Sequence, residues 1–187
     1  GIKHPRALGR RFHDIWSEIW PDISPLIDAA MAGQATYHED LPLLMKLNEP
    51  QMTEHVGGPE PPEKVVERQS RYEEDSRQYR IVVEVGGEGI GWVGYWERTW
   101  HDQPVLEIGW AVLASFQGRG IAGSATAQLL DKAREDQQLR FVHAFPKIDN
   151  GPSNAICRKL GFTLVEEIDF PARQGASCGA TTGRFDL

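Results

Sequence analysis

Apolar positions along this chain follow a helical period first and a strand period later. Phe12, Ile15, Trp16, Ile19 and Trp20 recur at i, i+3, i+4, i+7 and i+8, which predicts an amphipathic helix stopped by Pro21. "YHEDLPLLMKLNEP" predicts a helix over 41–47 with Pro50 at its end. "GGPEPPEK" holds too little apolar content to fold alone, so it is read as a loop. "PEKVVERQSRYEEDSRQ" predicts a polar surface helix with a thin buried stripe of Val65, Val66 and Tyr72, its charge run forming a solvated face.

From Arg80 the period shortens to two. Ile81, Val83 and Val85 alternate, "GGEG" turns, and Ile90, Trp92, Gly94 and Trp96 alternate again, which is a hairpin pattern. A polar loop through His101 and Pro104 leads to a third strand over 105–113 and then the loop "ASFQG". The next helix begins near Gly120, with apolar or small residues at 122, 125, 126, 129, 130 and 133 and Arg134 near its C-terminal end. A short strand over 140–145 follows, then a helix opened by Pro152 and Ser153 and closed by Gly161. "TLVEEIDF" is a further strand and "RFDL" a candidate last one, although the tail "PARQGASCGATTGRFDL" is richer in small residues than a final strand is expected to be. The order predicts a mixed α/β sheet, mostly antiparallel, with one parallel crossover in its middle.

A length of 187 residues suits one domain with a full core. Residues 1–23 are read as an N-terminal extension, partly vector-derived because the chain starts at Gly1, and 24–187 as a single domain. Twenty Lys and Arg against 27 Asp and Glu give a net charge of −7, which argues against a general nucleic-acid binder. The same charge suits either a cationic substrate or plain solubility. Cys157 and Cys178 form no C-x-x-C pair, no apolar run approaches membrane length, and no charged start precedes an apolar stretch. A reducing cytoplasm without membrane contact is the expectation. His38, His55 and His101 have no metal-ligand spacing and H-E-x-x-H is absent, so no metal is expected. The Trp16/Trp20 stripe suits packing on its own domain or on a second subunit, which leaves a homodimer open.

The chemistry concentrates in "QGRGIAG". Gly118, Gly120 and Gly123 spell G-x-G-x-x-G, while Gln117, Gly120 and Ala122 spell Q-x-x-G-x-A. Either way, a glycine-rich turn that opens a helix presents backbone N–H groups and a positive dipole end to phosphate. A dinucleotide turn further needs a strand running into the first glycine, an acid about 20 residues on, and chain enough for more βαβ units. Here "ASFQ" intervenes, "RFVHAF" ends without an acid, and the remaining chain is too short. That reading fails on all three counts.

"EIGWAVLASFQGRGIAGSATAQLL" resembles the acyl-CoA-binding segment of the GCN5-related N-acetyltransferases (GNAT family): a strand, then Q/R-x-x-G-x-G/A, then an Ala-rich helix. Downstream, "NGPSNAICRKLGF" is similar to the family's second motif through Asn150, Ser153, Lys159, Gly161 and Phe162, and leans towards the branch of ribosomal-protein N-terminal acetyltransferases. The resemblance spans about Tyr37 to Phe170. It implies a three-layer α/β fold and acetyl-CoA as co-substrate, with transfer by direct attack of a primary amine on a small molecule or protein N-terminus. It also implies that the N–H groups of Gly118, Arg119, Gly120, Ile121, Ala122 and Gly123 cradle the pyrophosphate and that Asn150 and Ser153 belong to the same site. Arg119 either adds charge there or is merely solvated. By the same resemblance, Val112 and Leu113 pair with the pantetheine arm and the strand through Phe141 splays away to admit it.

Glu107 is the candidate general base: it lies mid-strand among apolar neighbours, on one face with Gly109 and Ala111. Its alternative is a strand glutamate facing solvent or an ion pair. Where many relatives carry a leaving-group tyrosine, this chain has Cys157, whose simplest role is inert packing. His143 is expected to be a satisfied core histidine, and of Trp92, Trp96, Trp100 and Trp110 most are expected in the core, with one or two walling an acceptor pocket. A catalytically silent acyl-CoA-binding module is the alternative to an enzyme. A nicotinamide oxidoreductase stands third.

Overall fold

The computed structural model describes residues 41–74, 77–82, 89–136, 139–171 and 177–187. The predicted helix over 12–20 and the "GGEG" turn lie outside these. Helix α1 (Leu41–Lys46) is followed by the single turn α2 (Pro50–Thr53), which continues into a 3-10 turn over Glu54–Val56. Pro50 therefore opens a turn as well as following a helix, because a residue without an N–H is tolerated at the first helical position. Helix α3 spans Pro62–Glu74. Val65 is completely buried while Val66 is 46% exposed, so the expected pairing of the two valines is corrected. The buried face runs through Val65, Arg68 and Gln69, with half-buried Tyr72 one turn on, because positions three and four apart share a helix face and adjacent ones do not.

Strands β1 (Gln78–Val82), β2 (Gly89–Trp100), β3 (Gln103–Val112), β4 (Phe141–Ala144), β5 (Thr163–Pro171) and β6 (Ser177–Asp186) form one sheet in the order β1-β2-β3-β4-β6-β5. Only β3 and β4 run parallel, joined by helix α4 (Ile121–Asp136), as the element order predicts. Helix α5 (Gly151–Leu160) links β4 to β5. The polar loop expected between β2 and β3 is a two-residue turn instead. His101 and Asp102 both take positive φ, 46° and 58°, and Trp100 already pairs with Gln103. Two consecutive positive φ values match the twist of a tight hairpin.

The small-residue tail is a full strand, and "RFDL" only its end. Its composition has a packing reason at Gly183, where an added Cβ would lie 3.2 Å from that of Phe162. On the α4 face, Val93, Tyr95, Leu106, Ile108 and Val112 join Ala125, Leu129, Leu130 and Ala133 in one core, closed by Cys157 and Phe162. Tyr95 also hydrogen-bonds Asp136 at the end of α4. The opposite face carries Trp92 and Trp96, packed over Gly109, with Tyr72 of α3 against Trp92 at 5.5 Å. Helices thus cover both faces of the sheet, giving three layers.

Candidate active site

Register decides where the site lies. Strand β3 pairs with β2 as far as Val112, but with β4 only at Leu106 and Glu107, opposite Val142 and His143. Beyond Glu107 the two parallel strands part, so the β4-facing edge of β3 over 108–112 has no ladder partner among the described residues. A cavity of about 630 Å³ opens beside this edge. Trp110, Ala111 and Val112 form one wall, the turn after β3 and the start of α4 a second, and α5, from Pro152 to Leu160, a third. Residues of α1, α2 and α3 complete the lining, among them Leu44, Thr53 and Arg68, and His55 after α2 pairs with Asp149 before α5 at 3.0 Å.

The turn is built to leave donors free. Leu113, Phe116 and Gln117 spend their N–H groups on Ile90, Leu113 and Ala114 carbonyls, and Ser124 spends its own on Gly120. Between them, the N–H groups of residues 118–123 meet no acceptor among the described residues. Gly118 and Gly120 hold φ of +74° and +79°, a region costly for residues with a Cβ. A Cβ placed on Gly118, Gly120 or Gly123 would meet nothing within 4 Å. Such glycines leave open space in front of a helix N-terminus, where an anion is favoured.

Gln117 and Arg119 do different work. The Gln117 amide donates to the Val112 carbonyl at 2.9 Å and so ties the turn to the end of β3. Arg119 donates to the Ser115 carbonyl at 2.9 Å and lies over the Phe116 ring, away from the cavity wall. Leu113 is likewise outside the lining. Asn150 and Ser153 both line the cavity, and their spacing has a local cause: Asn150 caps α5, its side-chain oxygen accepting the Ser153 N–H at 3.1 Å. Gly161 ends the same helix in the left-handed region at φ 88°.

Glu107 stands outside the cavity lining, on the sheet face shared with Ala111, and its side chain is 12% exposed. Arg98 donates to its Oε2 at 2.6 Å and the Trp96 Nε1–H to the same oxygen at 3.2 Å. Oε1 takes no hydrogen bond among the described residues. Burial raises the Glu107 carboxyl above the ordinary range, and Arg98 and Trp96 only partly offset it. The glutamate is thus in an ion pair, as its alternative reading expected.

His143 pairs in register with Glu107 and is only 5% exposed, yet its Nδ1 has no hydrogen-bond partner. The expectation of a satisfied core histidine is corrected in that respect. Burial, then Arg184 and His101, push its pKa below the ordinary value, so it is neutral near pH 7. Cys157 belongs to the core and not to the cavity, and burial pushes its thiol up to about 12. Trp92 and Trp110 line the cavity, while Trp96 packs under Gly109.

Arg68 was not legible as a site residue, because its helix reads as a solvated charge run. It is 7% exposed and lines the cavity. The signal was present in the spacing, since Arg68 falls between Val65 and Tyr72 on the buried stripe. Among the described residues no group of three or more His, Cys, Asp or Glu is placed to hold a metal, and no helix is long and apolar enough to cross a membrane.

Comparison with known proteins agrees with this geometry. Residues 35–163 match the model of the Acetyltransferase (GNAT) domain. A ribosomal-protein-alanine N-acetyltransferase from Brucella melitensis is similar in structure at a TM-score of 0.66 and 22% identity, over 83% of this chain and 98% of that one. The yncA protein of Salmonella typhimurium, solved with its cofactor acetyl-CoA, reaches 0.67 at 17% identity, over 83% and 92%. The aminoglycoside acetyltransferase AAC(6')-Ib in complex with coenzyme A reaches 0.63 at 19%, over 82% and 92%. These identities carry the fold, while the family match spans well over half of the sequence. On that match, the chain belongs to the GNAT family and is an acetyl-CoA-dependent acyltransferase.

Proposed function

We propose that this protein acetylates a primary amine, on a small molecule or a protein N-terminus, by direct attack of the amine on the thioester of acetyl-CoA. The observation that carries the reading is a cavity lined by two unlike sets of residues. One set holds the open N–H groups of residues 118–123 and the start of α5, with Met52 against Gln117 and His55 against Asp149, a fit for a pyrophosphate. The other holds Trp92, Ala111, Leu44 and Arg68, a fit for an acceptor. Between them runs the unpaired edge of β3 over 108–112, to which an extended arm adds like a strand. When bound, the co-substrate supplies an activated carbonyl and a thiolate leaving group.

The chain's own residues then have to hold, orient and deprotonate. In this reading Gly118, Arg119, Gly120, Ile121, Ala122 and Gly123 hold the pyrophosphate through backbone N–H groups, with Asn150 fixing the α5 end beside Ser153. Val112 contributes backbone to the arm. Leu113 and the Arg119 side chain give support from behind, since neither lines the cavity. Glu107 takes the ammonium proton through water on its free Oε1, while Arg98 and Trp96 hold Oε2. A carboxyl raised by burial is a better base near neutral pH than an ordinary one.

The test is Glu107→Gln. It is expected to lower kcat/KM by about 10²–10⁴-fold, the usual range for a positioned base, with acetyl-CoA binding unchanged. Because Glu107 works as the ionised form, the wild-type rate falls as pH drops through its raised pKa, and that limb is absent in the variant. The alternative of a silent acyl-CoA-binding module draws on Cys157, which lies in the core and offers the leaving thiolate no proton. Tight acetyl-CoA binding without thiol release across an amine panel supports that alternative.

A further inference from the structure

We infer that Arg68 is the specificity residue of the cavity and selects acceptor amines that carry an anionic group, a carboxylate or a phosphate. The inference rests on the acetyl-transfer reading above and names its substrate class. Arg68 sits on α3 one turn before Tyr72, whose ring packs on Trp92, and Trp92 pairs in register with Ala111. The guanidinium is thus part of the cavity lining, on the helix that covers the Trp92 face of the sheet. It is more than nine-tenths buried, and its Nε–H has no acceptor. Among the described residues its ion pair runs from Nη2 to Glu60 Oε2 at 3.2 Å.

A planar guanidinium has five N–H donors, and among the described residues Nη2 meets Glu60 while the Nε–H meets no acceptor. Buried donors without acceptors are rare, and a cation placed this way matches the two oxygens of a carboxylate or phosphate. The protein as a whole carries a charge of −7, and Glu54 also lines the cavity. An anionic acceptor is therefore drawn to this place by local chemistry, against the net charge. The amine end of the acceptor is left to face the β3 edge.

The experiment uses the full chain, acetyl-CoA and matched amine pairs that differ only in the anion. Glycine with glycinamide, 4-aminobutyrate with its amide, glycylglycine with its amide, and phosphoethanolamine with ethanolamine cover both oxyanions and several spans. Thiol release is compared per free amine. In at least one pair the anionic member is expected to have kcat/KM about 30-fold higher, the scale of a charged hydrogen bond. Arg68→Gln is expected to bring the members within about threefold, with KM for acetyl-CoA unchanged, and Arg68→Lys to keep part of the preference. Equal rates in every wild-type pair overturn the inference without any variant. So does a preference that survives both substitutions, or a rise in KM for acetyl-CoA alone, which puts Arg68 on the co-substrate's arm. If no member is turned over, transfer to small amines fails, and calorimetric titration of the pairs onto CoA-saturated wild type decides the inference separately. Tighter binding of an anionic member then upholds it, and equal or absent binding overturns it.

Discussion

At the scale of single residues, the glycines of the turn divide into two kinds. Gly118 and Gly120 are needed for backbone conformation, and alanine at either costs about 1–2 kcal/mol through the left-handed region. Gly123 is the third residue of α4 and has no positive φ, so only open space separates it from alanine. Gly123→Ala is therefore expected to stabilise the fold by about 0.5–1 kcal/mol, since alanine is the better helix former. The same Cβ stands in front of the free N–H groups and is expected to weaken acetyl-CoA binding about tenfold or more. Urea melts and calorimetry on one preparation check both signs; a variant that binds as well as wild type removes Gly123 from the cradle. Gln117, Gly120 and Ala122 were legible in the sequence because the turn's chemistry is local. Arg68 and the unpaired Nδ1 of His143 were not, because burial and missing partners are set by distant elements.

At the scale of elements, the Asn150–Ser153 motif shows how a family signature can have a folding cause. The Asn150 side chain caps α5, and the Ser153 hydroxyl makes no hydrogen bond among the described residues. Asn150→Ala is expected to cost about 1 kcal/mol, and Ser153→Ala less than about 0.5. Equal losses in chemical denaturation contradict that assignment. Period-two and helical patterns placed the strands and helices of the core because alternation and i, i+3, i+4 spacing report burial directly. The misreadings fall where a neighbour decides. Pro50 starts α2 because α1 ends before it, His101 and Asp102 make a two-residue turn, and β6 uses Gly183 to admit Phe162.

At the scale of the molecule, function follows from one departure between strands. The sheet is continuous through β2 and β3, then β4 leaves β3 after a two-residue ladder, and the cavity opens beside the end of β3 at Trp110, Ala111 and Val112. The sequence carried the crossover but not the length of the ladder, which depends on how α4 and α5 set β4 against the core. The central claim is that this gap and its glycine turn bind acetyl-CoA. The most direct measurement is a titration of the ¹⁵N-labelled protein with acetyl-CoA, followed through backbone amide shifts. Saturable shifts are predicted at residues 118–123 and along 108–112, with NADH at the same concentrations leaving both segments unmoved. Shifts confined to other segments, or an equal response to NADH, would contradict the account.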